Sequence, residues 1–165
     1  KLESEGYDVM MVMVYAHPIV SFLRNFKRER KVPLIGIIST WVKVYSLIED
    51  YKKMFGDNFV LVTSPPTSQE EKEQIESFQT AQNQGKLKEY FDDLMSTGNY
   101  QSSFRKDDST LSPEELEKRE KQREKTKIAV EKSIESLSQS FDKIQASLQP
   151  ISKDELPSLI SKFKS

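Results

Sequence analysis

Two short runs of consecutive apolar residues stand out against a chain that otherwise repeats on a helical period. Asp8 is followed by Val-Met-Met-Val-Met-Val-Tyr as far as residue 15, and the turn Gly56-Asp57-Asn58 is followed by Phe-Val-Leu-Val over 59–62. Uninterrupted apolar runs suit strands covered on both faces, as in a parallel sheet. Helical pattern fills the interval between them, which gives the strand–helix–strand order of a parallel α/β unit. Two strands are too few for a stable open sheet. The rest of the sheet is therefore expected from an upstream half of the same protein or from another chain. The opening Lys1-Leu-Glu-Ser-Glu-Gly6 reads as the end of a helix that stops at Gly6. The chain is accordingly expected to be a fragment.

Within the interval, a first helix is expected from about Pro18 to Arg30, with Pro18 in the first turn. Ile19, Phe22, Leu23 and Phe26 fall on one face. Arg24, Lys27, Arg28 and Lys31 fall on another, centred roughly 140° away at the helical angle per residue. Arg30 falls out of phase. Either the helix ends before it, or it points at something anionic. A second helix is expected from about Pro33 to Phe55, with Leu34, Ile37, Ile38, Trp41, Tyr45 and Ile48 inward and Gly56 closing it.

Beyond the linker Thr63-Ser-Pro-Pro-Thr67 the pattern turns polar. Short helices are expected over 68–81 and 86–95, and a loop over 96–111. Ser112-Pro113-Glu114-Glu115 then carries the start signals of a long helix: a capping Ser, a Pro in the first turn and a capping-box Glu. Residues 117–127 are charged or polar. Val130, Ile134, Leu137, Phe141, Ile144 and Leu148 follow at alternating spacings of four and three, a heptad seam. Covering that stripe is expected either from a protein partner through residues 128–149, as a coiled coil, or from a hairpin within the chain's own core. A last short helix over 153–164 places Leu156, Leu159, Ile160 and Phe163 on one side. The organisation so read is 1–63, half of an α/β domain; 64–111, linker and short helices; 112–149, the long helix; and 150–165, the C-terminal helix.

Composition narrows the chemistry. The 165 residues include no cysteine and one histidine, His17, so thiolate metal sites, a cysteine nucleophile and a histidine cluster are excluded within one chain. A formal net charge of −1 argues against a general nucleic-acid binder. The basic helix carries five Lys/Arg against Glu29, with no aromatic residue on that face to stack bases. No apolar run reaches the roughly 18 residues of a membrane span, and no signal peptide opens the chain. A soluble cytoplasmic protein, in a host cytoplasm or a virion if viral, is the expectation.

The remaining signal is the arginine cluster. Guanidinium forks bind phosphate oxygens bidentately, yet no G-x-x-x-x-G-K-[ST] phosphate loop occurs in the chain. His17 reads as a turn residue capping the first helix, or as a proton-transfer group. Trp41 reads as core, and the pair Asp92-Asp93 as exposed surface, since neighbouring helical residues diverge by about 100°.

The segments Gly6-Tyr-Asp-Val, Val12-Met-Val-Tyr15, Arg24-Asn25-x-x-Arg28-x-Arg30-x-Val-Pro33, Trp41, Tyr51 and Phe55-Gly-Asp-Asn-Phe59 together resemble the C-terminal, lid-bearing half of zeta-toxin-like P-loop kinases. They look most like the kinase-like proteins of tailed bacteriophages. The resemblance covers about residues 1–63. It implies a parallel sheet flanked by helices and a lid whose arginines contact nucleotide phosphates. By position these are Arg24, Arg28 and Arg30, with Asn25 following the first. It implies ATP and Mg²⁺ as cofactors only together with the upstream half, because the phosphate loop, its lysine, the magnesium-binding hydroxyl and the acidic base are all absent here. His17 stands where relatives often carry Asp or Asn. The expected function is the phosphate-contacting half of an ATP-dependent phosphotransferase, inactive alone. The alternative is a non-catalytic structural or assembly module of a bacteriophage particle, using a kinase-like domain and a helical tail for protein–protein interaction.

Overall fold

The structure, a computed structural model, describes residue 6 and residues 8–97 and 111–163. The expected helix before Gly6 and most of the expected loop over 96–111 lie outside the described residues.

The chain is a mixed α/β protein built mainly of helix around one two-stranded parallel sheet. Strand β1 (Met11–Tyr15) pairs with β2 (Phe59–Thr63) in the register Met13↔Leu61. Between them run α1 (Pro18–Phe26), α2 (Leu34–Tyr45) and α3 (Ile48–Phe55). After β2 come α4 (Gln69–Asn83), α5 (Leu87–Ser96), the long α6 (Pro113–Ser147) and α7 (Leu156–Phe163). Ile151 adds a single parallel bridge to β2, exchanging hydrogen bonds with Leu61 and Thr63 at 2.8 and 2.9 Å.

Strand β1 begins at Met11 rather than at Val9, where the apolar run starts, and two helical boundaries also differ from the sequence reading. Helix α1 ends at Phe26 rather than Arg30. The Asn25 amide donates to the Val32 carbonyl at 2.9 Å and accepts from the Val32 N–H at 2.8 Å, folding residues 27–32 back across the helix end. Arg30 is out of phase because it follows the helix. The expected second helix is two, α2 and α3, broken at Ser46–Leu47. There Ser46 Oγ donates back to the Val42 carbonyl at 2.6 Å, and the Leu47 N–H reaches Val44 in a tight turn. Tyr45 and Ile48, on either side of the break, are both buried.

One apolar cluster draws on both strands, on α1 to α5 and on the second half of α6. Met13, Ile19, Phe22, Ile38, Trp41, Leu61, Phe78, Phe91 and Leu137 all belong to it. The heptad stripe joins it, with Leu137 and Phe141 wholly buried and Ile134 and Ile144 nearly so, against α2 and α5. The seam is thus covered within the chain, and its four central residues leave no stripe for a partner to cover. Phe141 stacks against Trp41 and meets Phe78 edge-on, and such aromatic contacts add about 0.5–1.5 kcal/mol beyond burial. The first half of α6 behaves differently: no side chain from Pro113 to Ser133 is buried.

The sheet is open on one side. Tyr15 accepts at its carbonyl from Ser64 N–H, so the backbone groups of residues 13 and 15 point to β2 and, by strand alternation, those of residues 12 and 14 point to the other edge. No strand lies along that edge among the described residues. Val12 and Val14 are 40% and 59% exposed, whereas the sequence run alone had implied cover on both faces.

Candidate functional site: the α1–α2 loop and its groove

The carboxyl end of β1 is fixed by side chains rather than by a neighbouring strand. Tyr45 Oη donates to the Val14 carbonyl at 2.8 Å and accepts from the Ala16 N–H at 3.3 Å. Burial pushes the Tyr45 phenol above its usual range, which keeps it a donor. Trp41 Nε1 donates to the Ala16 carbonyl at 2.9 Å. Trp41 is core, as the sequence implied, but it also terminates the strand edge.

His17 caps α1: its Nδ1 accepts from the Ile19 N–H at 3.3 Å. The ring sits edge-on between Phe78 and Phe141, and burial pushes its pKa down to about 4. A neutral imidazole enclosed by two phenyl rings is a structural cap.

The four residues singled out from the sequence separate into two pairs. Arg24 turns into the protein. Its Nε and Nη2 donate to Glu71 at 2.9 and 3.1 Å, its Nη1 to Ser64 Oγ at 2.7 Å and its Nη2 also to the Pro65 carbonyl at 2.7 Å. Glu71 is 2% exposed and accepts further bonds from the Thr67 N–H and hydroxyl. The Arg24 hydrogen bonds hold the Glu71 carboxyl below the usual range, against the opposing effect of burial. Arg24 thereby ties α1 to the linker after β2 and to the start of α4. Asn25 is buried and committed to the Val32 backbone.

Arg28 and Arg30 lie on the exposed loop that this Asn25 clamp creates. Their basic neighbours are engaged: Lys27 pairs with Glu70 at 3.2 Å, and Lys31 lies 5.7 Å from the centre of the Phe26 ring. Among the described residues no hydrogen bond or ion pair holds the side chain of Arg28 or Arg30, although the Arg28 N–H donates to the Asn25 carbonyl at 3.2 Å. Arg28 borders a groove of about 450 Å³ between α1 and α2, lined also by Ala16, Ser21, Gly36, Thr40 and Tyr45 and by Arg24, whose guanidinium donors are spent on Glu71, Ser64 and Pro65. Gly36 permits the loop to lie close, since a Cβ there would sit 3.0 Å from Val32 Cγ1. The groove opens at the carboxyl end of a parallel strand, where ligands of open α/β sheets bind.

The donor set fits phosphate oxygens: the Arg28 guanidinium on the groove beside the committed Arg24, a further guanidinium, Arg30, on the loop, and the hydroxyls of Ser21 and Thr40, the Tyr45 hydroxyl being spent on the Val14 carbonyl. It does not fit magnesium, because no lining residue is a carboxylate. Among the described residues no group of three or more His, Asp or Glu could hold a metal ion. Asp92 and Asp93 are both exposed, and Asp92 pairs with Lys88 at 2.8 Å. No helix among the described residues is long and apolar enough to cross a membrane.

Sequence reasoning missed Glu71, which reads as one more charge on a polar helix. The available signal was Ser68-Gln-Glu-Glu71, a capping-box pattern. Ser68 does cap α4, accepting from the Glu71 N–H at 3.1 Å, but the Glu71 carboxylate leaves the box for Arg24 and Thr67. No protein-family model, no curated protein and no solved structure matches the chain.

Proposed function

We propose that this chain is the phosphate-contacting, lid-bearing part of an ATP-dependent P-loop phosphotransferase, inactive by itself. The observation that carries this reading is the pair Arg28 and Arg30. They are exposed, unengaged among the described residues, and held by the Asn25 clamp beside a groove at the carboxyl end of β1. A phosphoryl group in transfer spreads negative charge over its oxygens, and guanidinium forks stabilise it. On this reading Arg28 and Arg30 contact phosphate, and Arg24 and Asn25 position their loop. The edge of β1 away from β2 carries no strand among the described residues, which is compatible with this reading along the part of the edge that Tyr45 and Trp41 leave free. The phosphate loop, its lysine and the magnesium ligand come from sequence or a chain beyond these residues.

The test is ATP consumption by the 165-residue chain and by the complete natural translation product containing it. The chain alone is expected to consume none. The complete product is expected to transfer phosphate, and Arg28→Ala or Arg30→Ala to slow it by on the order of 10³-fold. Unchanged rates in both variants, or no activity in the complete product, would defeat the proposal.

A second reading is favoured by α6. Its first half runs from Pro113 to Ser133 without a buried side chain, a rod of about 30 Å at the helical rise. A non-catalytic assembly module would use such a helix to reach another protein. Capture of a partner lost on deleting residues 113–127, with no phosphotransfer in the complete product, supports this reading over the first.

A further inference from the structure

The far side of the same loop borders a second cavity, of about 510 Å³, closed by the start of α2, the end of α5 and the middle of α6. Its floor is apolar: Phe26, Leu34, Ile35, Met95, Val130 and Ile134 line it. That volume lies within the roughly 300–1,000 Å³ of small-molecule sites. Its rim is charged and asymmetric. Lys31, Arg123 and Lys127 stand on it with Asp92 and Glu131. Both carboxylates also pair with an outside cation, Lys88, at 2.8 and 3.5 Å, so four cations stand against two carboxylates around the mouth. The field at the mouth is therefore positive, and beneath it lies an apolar floor.

We infer that this cavity binds a small anionic amphiphile, a carboxylate with a medium-length apolar chain, its head at Lys127 and Lys31 and its tail over Val130, Leu34 and Met95. Burying the tail supplies affinity, and the rim selects the sign of the head. Walls from three separate elements favour one soluble molecule over a flat lipid surface. The inference does not depend on phosphate contact at Arg28 and Arg30.

Isothermal titration with sodium dodecanoate below its micelle concentration tests it. Saturable one-to-one binding is expected, at least about tenfold tighter than that of decanoate, because each buried methylene contributes roughly fourfold. Lys127→Glu, an exposed change that spares the core, should weaken dodecanoate at least tenfold and improve binding of dodecyltrimethylammonium. Val130→Glu should abolish tail binding; should that variant not fold, the Lys127→Glu comparison decides. Any of four results would overturn the inference: no saturation, equal affinity for the cationic amphiphile, indifference to Lys127→Glu, or association only with phosphatidylglycerol vesicles.

Discussion

Arg24 and Arg28 stand four positions apart on the sequence and do opposite things. Arg24 pairs with the buried Glu71 but is itself 28% exposed, so removing it costs about 3 kcal/mol, the low end for stranding a buried charge. Arg24→Ala is expected to lose that much stability in urea unfolding. Arg28→Ala and Arg30→Ala should stay within about 0.5 kcal/mol of wild type, as exposed substitutions do. Equal losses at all three would contradict this assignment. His17 gives a second residue-scale outcome. Its folded pKa of about 4 lies below the ordinary value of 6.5, so the unfolded chain takes up a proton first as pH falls. The stability His17 contributes is complete above pH 6.5 and is lost as pH falls toward 4, by about 3 kcal/mol in all. Glu71, with its lowered carboxyl pKa, loses its contribution only further down, as pH falls below the ordinary carboxylate range. A His17→Asn variant, which keeps a capping acceptor, should be flat where wild type falls between pH 6.5 and 4. Parallel curves for the two proteins would show that the imidazole stays solvated.

At the scale of elements, the sequence made much of the fold legible. Both strands, the capped start of α6 and the apolar period of its second half all follow from local pattern. Ser112 accepts from the Glu115 N–H, and Glu115 from the Ser112 N–H, as the capping box requires. The end of α1 was not legible, because it depends on one polar side chain, Asn25, bonding to the Val32 backbone; nor was the break between α2 and α3, which no glycine or proline marks. Nor was the cover over the heptad seam, because a stripe at that spacing fits a partner helix or an α/β core equally well. Phe141, too wide for a narrow two-stranded seam, packs instead among Trp41, Phe78 and His17. Leu137→Ala should therefore cost about 2–5 kcal/mol, with a melting temperature independent of protein concentration. A melting temperature that rises with concentration would place the seam between chains. The exposed half of α6 has no such packing. Ser112→Ala, which removes the cap at a cost of about 1 kcal/mol, should speed amide exchange over residues 114–128 and leave 134–144 protected. Uniform acceleration along the helix would contradict that division.

At the scale of the whole molecule, residues from both strands and from the linker-side helices share one core, and that core sets what the surface can do. Packing α4 against α1 creates the Arg24–Glu71 lock. The lock and the Asn25 clamp together present the loop at 27–32, and the loop lies beside the groove at the end of β1. The candidate site was legible in the sequence only as a cluster of arginines. Which of them face outward depends on Glu71, 47 residues away along the chain from Arg24, and no local pattern encodes that pairing. The central claim is that Arg28 and Arg30, and not Arg24, meet phosphate. The most direct measurement follows the arginine Nε–H resonances of the chain in NMR spectra while sodium tripolyphosphate is added at low ionic strength. The account predicts saturable shifts at Arg28 and Arg30, loss of the Arg30 shift in Arg28→Ala, and no movement at Arg24. Unmoved Arg28 and Arg30 signals, or shifts no larger than that of Arg123, exposed on α6, would contradict it.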